Sequence, residues 1–260
     1  GIGLARARRA AAAGGRVTLI ARDRSRLAAA REAIRTAYPA APDVATFSAD
    51  VSLESELLRA LAEAGRLHGP IDLLVASAGI SSPGYFEELP VAAFERAMAV
   101  NYFGTLYALK AIVPEMRRRG RGAVVLISSG AGLCGFFGYT AYAPGKFALR
   151  GLAESLRAEL RGTGVHVSIV YPPDTDTPQL AEENQSKPPE TKAITARGGL
   201  WTADEVARVT LEGVAHRCFA ITPGWQVTAL SWTHSILAPV LRWSFDRTAR
   251  KARPARQDLV

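Results

Sequence analysis

The sequence predicts a doubly wound α/β fold built on a parallel sheet. Short runs of β-branched and other apolar residues alternate with longer stretches of helical pattern along most of the 260 residues. Two of the predicted strands, 72–76 and 123–127, are almost continuously apolar, which indicates burial on both faces and therefore parallel pairing. Regular strand–helix alternation is typical of sheets covered by helices on both faces.

The predicted elements follow one another without an internal repeat or linker. The strands are expected at 17–21, 44–48, 71–76, 124–128, 165–171 and 219–222, and the helices at 4–13, 25–37, 53–67, 91–118 and 144–161. The first helix follows Gly1-Ile2-Gly3 with no strand before it, so we expect the sheet to lack its first strand. We expect one domain at 1–223 and an apolar, then basic, extension at 224–260.

Composition narrows the function classes. Hydrophobic residues make up 48% of the chain, which excludes disorder, and the formal net charge is +8. No nucleic-acid partner is expected, because neither interleaved aromatics nor a nucleic-acid motif accompanies the charge. Attraction to the phosphate of a cofactor or of a membrane surface explains the charge equally well. No metal-ligand spacing is present, and arginines near the start instead of an apolar run indicate a cytoplasmic protein.

Several residues suggest a dinucleotide site. Gly1, Ile2 and Gly3 precede a helix as the end of a phosphate-binding turn does, where free N–H groups meet the pyrophosphate. Arg22 follows the second predicted strand and Arg26 lies one turn later. Two cations suit a ribose 2′-phosphate, which favours NADPH, whereas an acidic residue would favour NAD. A solvated basic turn is the alternative. The next strand ends at Asp50-Val51, which suits the adenine amino group or a plain helix cap.

A second group of residues suggests carbonyl chemistry. Ala78 and Gly79 are small enough to let backbone approach a cofactor, and Asn101 lies in a helical stretch where an amide indicates a hydrogen-bonding role. Ser129 closes a strand at the sheet edge where α/β ligands bind. Tyr142 and Lys146 share a helix face, so the ammonium should lower the phenol pKa and make a proton donor. The spacing of this pair alone is common by chance.

Taken in order, Gly1-Ile2-Gly3, Asn101, Ser129, Tyr142 and Lys146 resemble the short-chain dehydrogenase/reductase family. The resemblance implies a Rossmann-like sheet, a nicotinamide cofactor and a homo-oligomer, either a dimer or a tetramer. It also implies four roles. Tyr142 would be the general acid, Lys146 would lower its pKa and hold the nicotinamide ribose, Ser129 would bind the substrate oxygen, and Asn101 would support a water relay.

A narrower resemblance comes from Tyr171-Pro-Pro-Asp-Thr-Asp-Thr-Pro178, with Glu-Glu-Asn, Lys-Pro and Glu-Thr after it. These runs are similar to the subfamily of 3-ketodihydrosphingosine reductases. The resemblance implies NADPH, a lipid ketone as substrate, nicotinamide contacts from Pro172, Thr175 or Thr177, and a substrate-covering loop at 179–200. Two alternatives stay open. The chain reduces another lipid or small ketone, or it is a nucleotide-binding chain without catalytic activity.

Pro144 and residues 225–243 each lead to a further structural prediction. Pro144 lies between the catalytic pair, and proline fits only the first helical turn, so Tyr142 should lie at a helix entrance. Residues 225–243 are largely apolar, interrupted by His234 and Pro239, and contain Trp225, Trp232 and Trp243 before a basic stretch. This pattern favours an in-plane membrane contact. Packing on the protein's own core, or on a second copy, is weighed equally.

Overall fold

The computed structural model describes residues 1–196 and 199–252, in which short strands alternate with helices. The helices are α1 (Ile2–Ala12), α2 (Arg24–Ala37), α3 (Glu54–His68), α4 (Val91–Met98), α5 (Gly104–Arg119), α6 (Ala143–Glu159), α7 (Pro178–Ser186), α8 (Pro189–Thr195), α9 (Ala203–Ala215) and α10 (Trp225–Ala252). The strands are β1 (Thr18–Ala21), β2 (Ala45–Ser48), β3 (Leu73–Ala76), β4 (Gly122–Ile127), β5 (Val165–Val170), β6 (Thr175–Asp176), β7 (Trp201–Thr202) and β8 (Ala220–Ile221).

The predicted parallel α/β architecture is confirmed. Strands β3, β4, β5 and β8 pair in that order as a parallel sheet, β1 pairs in parallel with β2, and β6 forms a short pair with β7. Strands β4 and β5 are as buried as their apolar sequences predict, since Val124, Leu126 and Ile169 are fully enclosed. The same prediction for 72–76 is wrong, because β3 borders the cavity, where Leu73 is exposed and Leu74 to Ala76 are only half-buried.

The main sheet lies in two parts. Within the described residues no strand pairs with the β1 edge away from β2 or with the β3 edge away from β4. Residues along both of these strands line one shared cavity, among them Leu19 of β1 and Leu74 of β3. Both of these strand edges therefore face the same cavity.

The largest hydrophobic clusters of the two parts are separate. The larger packs α3, α5 and α6 against β4 and β5, with Leu126, Leu149 and Ile169 at its centre. The smaller joins α1 and α2 to β1 and to the residue before β2, through Ala11, Ile34 and other apolar side chains.

The predicted helix at 91–118 is present as a continuous helical run with one irregular turn. Residues Ala99–Phe103 form a π-helical turn between α4 and α5. Such widened turns occur frequently at functional sites, and this one contains Asn101.

The expectation of a loop at 179–200 is wrong for most of its length, because α7 and α8 occupy it. Pro178 and Pro189 lie in the first turns of these helices, where a missing N–H is tolerated, and the Thr177 hydroxyl accepts a bond from the Leu180 N–H. Residues 197 and 198, and the basic stretch beyond 252, lie outside the described residues.

Candidate active site

The entrance of α6 holds the two residues singled out for proton transfer. Tyr142 caps the helix and Pro144 lies in its first turn, so the predicted placement at the helix mouth is confirmed. Lys146 is one turn further in and almost fully buried, with its ammonium 5.4 Å from the centroid of the Tyr142 ring. Both side chains line the cavity that runs up from the gap in the sheet.

Two hydrogen bonds attach Lys146 to the end of β4. Its Nζ donates to the carbonyl oxygen of Ile127 at 3.0 Å, and its own carbonyl oxygen accepts from the Ser128 hydroxyl at 3.0 Å. Ser129 follows directly and caps the short helical turn Gly130–Gly132 by accepting from the Ala131 N–H at 3.2 Å. The predicted catalytic serine, tyrosine and lysine therefore meet at the carboxyl edge of the sheet.

The electrostatics of the pair differ from the expectation. Burial raises the pKa of the Tyr142 phenol and outweighs the neighbouring Ser129 hydroxyl, which acts to lower it. Burial also lowers the Lys146 pKa to about 8, which leaves the ammonium as the main form at neutral pH. The predicted lowering of the Tyr142 pKa by Lys146 is wrong for this structure, because desolvation of the phenolate dominates.

Asn101 connects the helical run to the end of β3. Its Oδ1 accepts from the Ile80 N–H at 2.9 Å and its Nδ2 donates to the Ile80 carbonyl oxygen at 3.0 Å, with the side chain fully buried. A Cβ at Gly79 would lie 3.1 Å from Asn101 Oδ1 and 3.4 Å from Lys146 Nζ. A side chain at position 79 would therefore crowd the Asn101 amide, and the proposed relay of Asn101 to the lysine stays a prediction.

One cavity of 1680 Å³ contains the residues predicted to bind a cofactor. Its walls include the members of that set, namely Gly1, Ile2, Gly3, Arg22, Arg26, Asp50, Val51, Ala78, Gly79, Tyr142, Lys146, Pro172, Thr175 and Thr177. The α1 N-terminus has no side-chain cap and no acidic residue in its first turn. Its free backbone N–H groups therefore fit an anionic phosphate.

The three charged residues of this set have different partners. Arg22 is exposed and forms no ion pair with a described residue, whereas Arg26 lies 3.5 Å from the Asp23 carboxylate. Asp50 accepts from the Arg96 guanidinium at 2.7 Å and from the N–H and hydroxyl of Ser52. The cation at the β1 tip is thus available to a phosphate, while the Asp50 carboxylate is already bonded.

Thr175 and Thr177 also line the cavity. A Cβ at Gly1 would be 3.3 Å from Thr177 Cγ2, so the start of α1 and the start of α7 are adjacent. The Thr175 hydroxyl donates to the Pro173 carbonyl oxygen at 2.9 Å. Contacts of either threonine with a nicotinamide stay predictions.

Sequence reasoning missed two features of the cavity wall. Arg6, expected within a basic surface cluster, is 3% exposed and donates to the hydroxyls of Ser77 and Thr210. Burial lowers its pKa to about 9. Beside Tyr142 lies a group of polar side chains formed by Tyr139, Asp174, Glu183 and Lys187. In the sequence these residues look like ordinary polar surface residues, and only the folded structure shows that they lie in the cavity wall.

Comparisons with known proteins agree with this geometry. The model of the family described as short chain dehydrogenase matches residues 1–188, and the chain belongs to that family. A curated relative from Danio rerio, named 3-dehydrosphinganine reductase, is 40% identical over 220 residues, which is 83% of this chain and 66% of the relative. The chain thus spans about two thirds of the length of that relative.

Solved structures share the fold. Levodione reductase superposes with a TM-score of 0.80 at 25% identity, covering 88% of this chain and 94% of its own. An alcohol dehydrogenase from the archaeon Thermococcus sibiricus, complexed with 5-hydroxy-NADP, gives a TM-score of 0.72 at 25% identity over 85% of this chain and 91% of its own.

The Asp50–Arg96 pair makes stability depend on pH. Burial alone would raise the Asp50 pKa, but the bonds from Arg96 and Ser52 outweigh it and lower the pKa to about 2. Because the folded-state pKa lies below the unfolded value of about 3.9, the contribution is present above pH 4 and is lost as pH falls towards 2. We expect the stability difference between wild type and Asp50→Asn to shrink by about 1 to 2 kcal/mol over this range.

Urea unfolding at pH 5 and at pH 2.5 measures that difference. Glu54→Gln, at an exposed carboxylate without an ion pair to a described residue, is the matched control and should show no comparable change. A difference between wild type and Asp50→Asn that stays constant with pH contradicts the account.

Proposed function

We propose that the chain is an NADPH-dependent reductase that converts the 3-keto group of 3-ketosphinganine to the alcohol of sphinganine, with Tyr142 as the proton donor. The observation that carries the proposal is the meeting of Ser129, Tyr142 and Lys146 in one cavity with the expected cofactor residues. The curated relative from Danio rerio is named 3-dehydrosphinganine reductase, which matches the proposed reaction. A ketone reductase needs these functions at one carbonyl: a proton donor, an oxygen-binding hydroxyl and a nucleotide site.

The cavity suits an alkyl chain as well as a polar head. Beyond Tyr142 it is lined by Phe136, Leu180, Ile194, Val227, Leu230, Leu241 and Phe245. Burial of apolar surface contributes about 25 cal/mol per Å², so an alkyl chain along this wall gains affinity methylene by methylene. This apolar wall favours a lipid ketone over a small one.

The residues divide the work of the reaction. The nicotinamide of a bound cofactor would supply the hydride. The cofactor would be held by the α1 N-terminus at its pyrophosphate, by Arg22 at the ribose 2′-phosphate and by Lys146 at the nicotinamide ribose. Ser129 would bind the substrate oxygen and hold it towards Tyr142. The raised pKa keeps the Tyr142 phenol protonated at neutral pH, which is the form that a proton donor requires. Lys146 would stabilise the phenolate that remains.

Replacement of the proton donor tests the reaction. Tyr142→Phe removes the acidic proton with little change of shape, so kcat for NADPH oxidation with 3-ketosphinganine should fall at least about 100-fold. Tyr107→Phe makes the same change outside the cavity and should retain wild-type activity. The proposal fails if the wild-type chain does not oxidise NADPH with this substrate, or if both variants keep full activity.

Arg22 is proposed to select NADPH over NADH. Because hydrogen bonds to charged groups are worth about 1.5 to 3 kcal/mol, Arg22→Ala should raise the KM for NADPH about tenfold or more and leave that for NADH nearly unchanged. Arg24→Ala is the matched control, since Arg24 is equally exposed but does not line the cavity. Equal effects on both cofactors would argue against a contact with the 2′-phosphate.

We further propose peripheral contact of α10 with a membrane, at its cytoplasmic face. Trp225, Trp232, Ile236, Val240 and Trp243 are each more than half exposed. Their spacing of three, four or seven residues puts them on one side of the helix. The Arg247 guanidinium stacks on Trp243 with 5.4 Å between them, and Arg250 lies beyond it, which suits anionic headgroups. Within the described residues, no helix combines the length and hydropathy needed to cross a bilayer.

Liposome binding tests this contact. Trp232→Ala should lower the fraction that co-sediments with anionic vesicles about fivefold or more, because it removes a large exposed aromatic from the proposed contact. Phe86→Ala, which truncates another exposed aromatic away from α10, should bind as wild type does. If Trp232→Ala leaves vesicle binding unchanged but dissociates an oligomer in size-exclusion chromatography, α10 is instead the interface of the expected dimer or tetramer.

A further inference from the structure

A compact group of polar side chains lies in the cavity wall beside Tyr142 and has no place in the proton transfer described above. The ammonium of Lys187 lies 3.2 Å from Glu183 Oε1 and 3.6 Å from Asp174 Oδ2. The Tyr139 hydroxyl donates a short hydrogen bond to the same Glu183 oxygen. The Lys187 side chain is 1% exposed, so these contacts occur in a largely dehydrated setting.

The charges of this group do not cancel. Two carboxylates, Asp174 and Glu183, face one ammonium, which leaves a net charge of −1 among the three. Both carboxylates line the cavity, whereas Lys187 lies behind them and does not. Glu183 Oε1 accepts a hydrogen bond from Tyr139 and forms an ion pair with Lys187, while Oε2 accepts no bond from a described residue. The cavity side of the group therefore presents unneutralised negative charge and an unused acceptor.

This negative charge lies close to the reacting phenol. The ring of Tyr139, whose hydroxyl is bonded to Glu183, has its centroid 5.5 Å from that of Tyr142. Glu183 and Asp174 both add to the rise in the Tyr142 pKa, so their field extends to its hydroxyl. The other nearby cation, Lys146, directs its ammonium to the Ile127 carbonyl oxygen and leaves the carboxylates uncompensated.

We propose that Glu183, assisted by Asp174, binds the ammonium group of an α-amino ketone while Tyr142 and Ser129 hold the adjacent ketone oxygen. The inference rests on the proposed function and adds to it the residue that recognises the amine. In such a substrate the ammonium is attached to the carbon next to the carbonyl carbon. A carboxylate beside the carbonyl site is therefore the group that it requires, and charge-assisted bonds to carboxylates are the stronger class.

Glu183 and Asp174 differ in how well they are placed to bind the substrate ammonium. Glu183 is on α7 with its Oε2 unoccupied, and it is held in place through Oε1 by Tyr139 and Lys187. Asp174 lies between β5 and β6, with its side chain about one-third exposed, and contributes charge from further round the wall. Because a pre-positioned acceptor loses little entropy on binding, Glu183 is the primary contact.

An alternative is that Glu183 serves only as the partner of the buried Lys187, which lies four residues later at the C-terminal cap of α7. That role predicts a loss of stability on substitution, and equal effects on every substrate. The ammonium contact instead predicts discrimination between substrates that carry the amine and those that do not. The quantity to measure is thus a ratio of kcat/KM values, which a purely structural role does not change.

The experiment compares 3-ketosphinganine with the long-chain 3-ketone of equal length that lacks the amine. In wild type, kcat/KM should favour the amino ketone, and in Glu183→Gln this ratio should fall at least about tenfold, which corresponds to about 1.4 kcal/mol. Glu182→Gln makes the same substitution at the exposed neighbouring position and should keep the wild-type ratio. Thermal unfolding of both variants monitors the fold.

A second arm needs no variant. The N-acetylated amino ketone keeps the chain and the carbonyl but carries no charge, and wild type should use it at least about tenfold less well than the free amine. An unchanged ratio in Glu183→Gln, or equal use of the charged and uncharged ketones by wild type, overturns the inference. If wild type reduces neither long-chain ketone, the proposed function itself has failed, which is distinguishable from loss of selectivity alone.

Discussion

The attachment of Lys146 to the end of β4 determines the rest of the site. Because both its ammonium and its carbonyl oxygen are bonded to that end of the strand, the first turns of α6 cannot shift along the sheet. Tyr142, one turn earlier, is thereby held over the carboxyl edge of the strands, next to Ser129. Placing a reacting group on such a rigid junction reduces the reorganisation needed on binding substrate.

Desolvation has opposite consequences for the two members of the pair. It disfavours the charged form of each, so the phenol keeps its proton more firmly and the ammonium holds its proton less firmly. A ground state with neutral Tyr142 suits donation to a carbonyl. By microscopic reversibility, the groups that stabilise the phenolate would have to act in both directions of such a reaction.

The sequence singled out the residues that meet in the cavity but not all of their surroundings. Burial pattern and spacing are local properties, which is why the strands of the main sheet and the position of Tyr142 at the helix mouth were predicted correctly, whereas the two-residue strands β6 and β7 were not. The polar stretch at 179–200 looked like a loop because its helices are short and poor in apolar periodicity, and tertiary packing of Glu190 and Thr191 stabilises it. The burial of Arg6 and the grouping of Tyr139 with Glu183 depend on contacts between segments that are distant in sequence. Such contacts cannot be predicted from local patterns in a single sequence.

The division of the main sheet into two parts has a consequence for how the molecule opens. β1 and β2 share no backbone ladder with β3, and the core that packs α1 and α2 on them is distinct from the one around β4 and β5. Cooperative unfolding units tend to follow such boundaries. In the described residues β1 and β2 are held by each other and by α1 and α2, so we expect their amides to exchange before those of β4. A dinucleotide bound in the cavity would contact both parts and should raise the protection of β1 and β2.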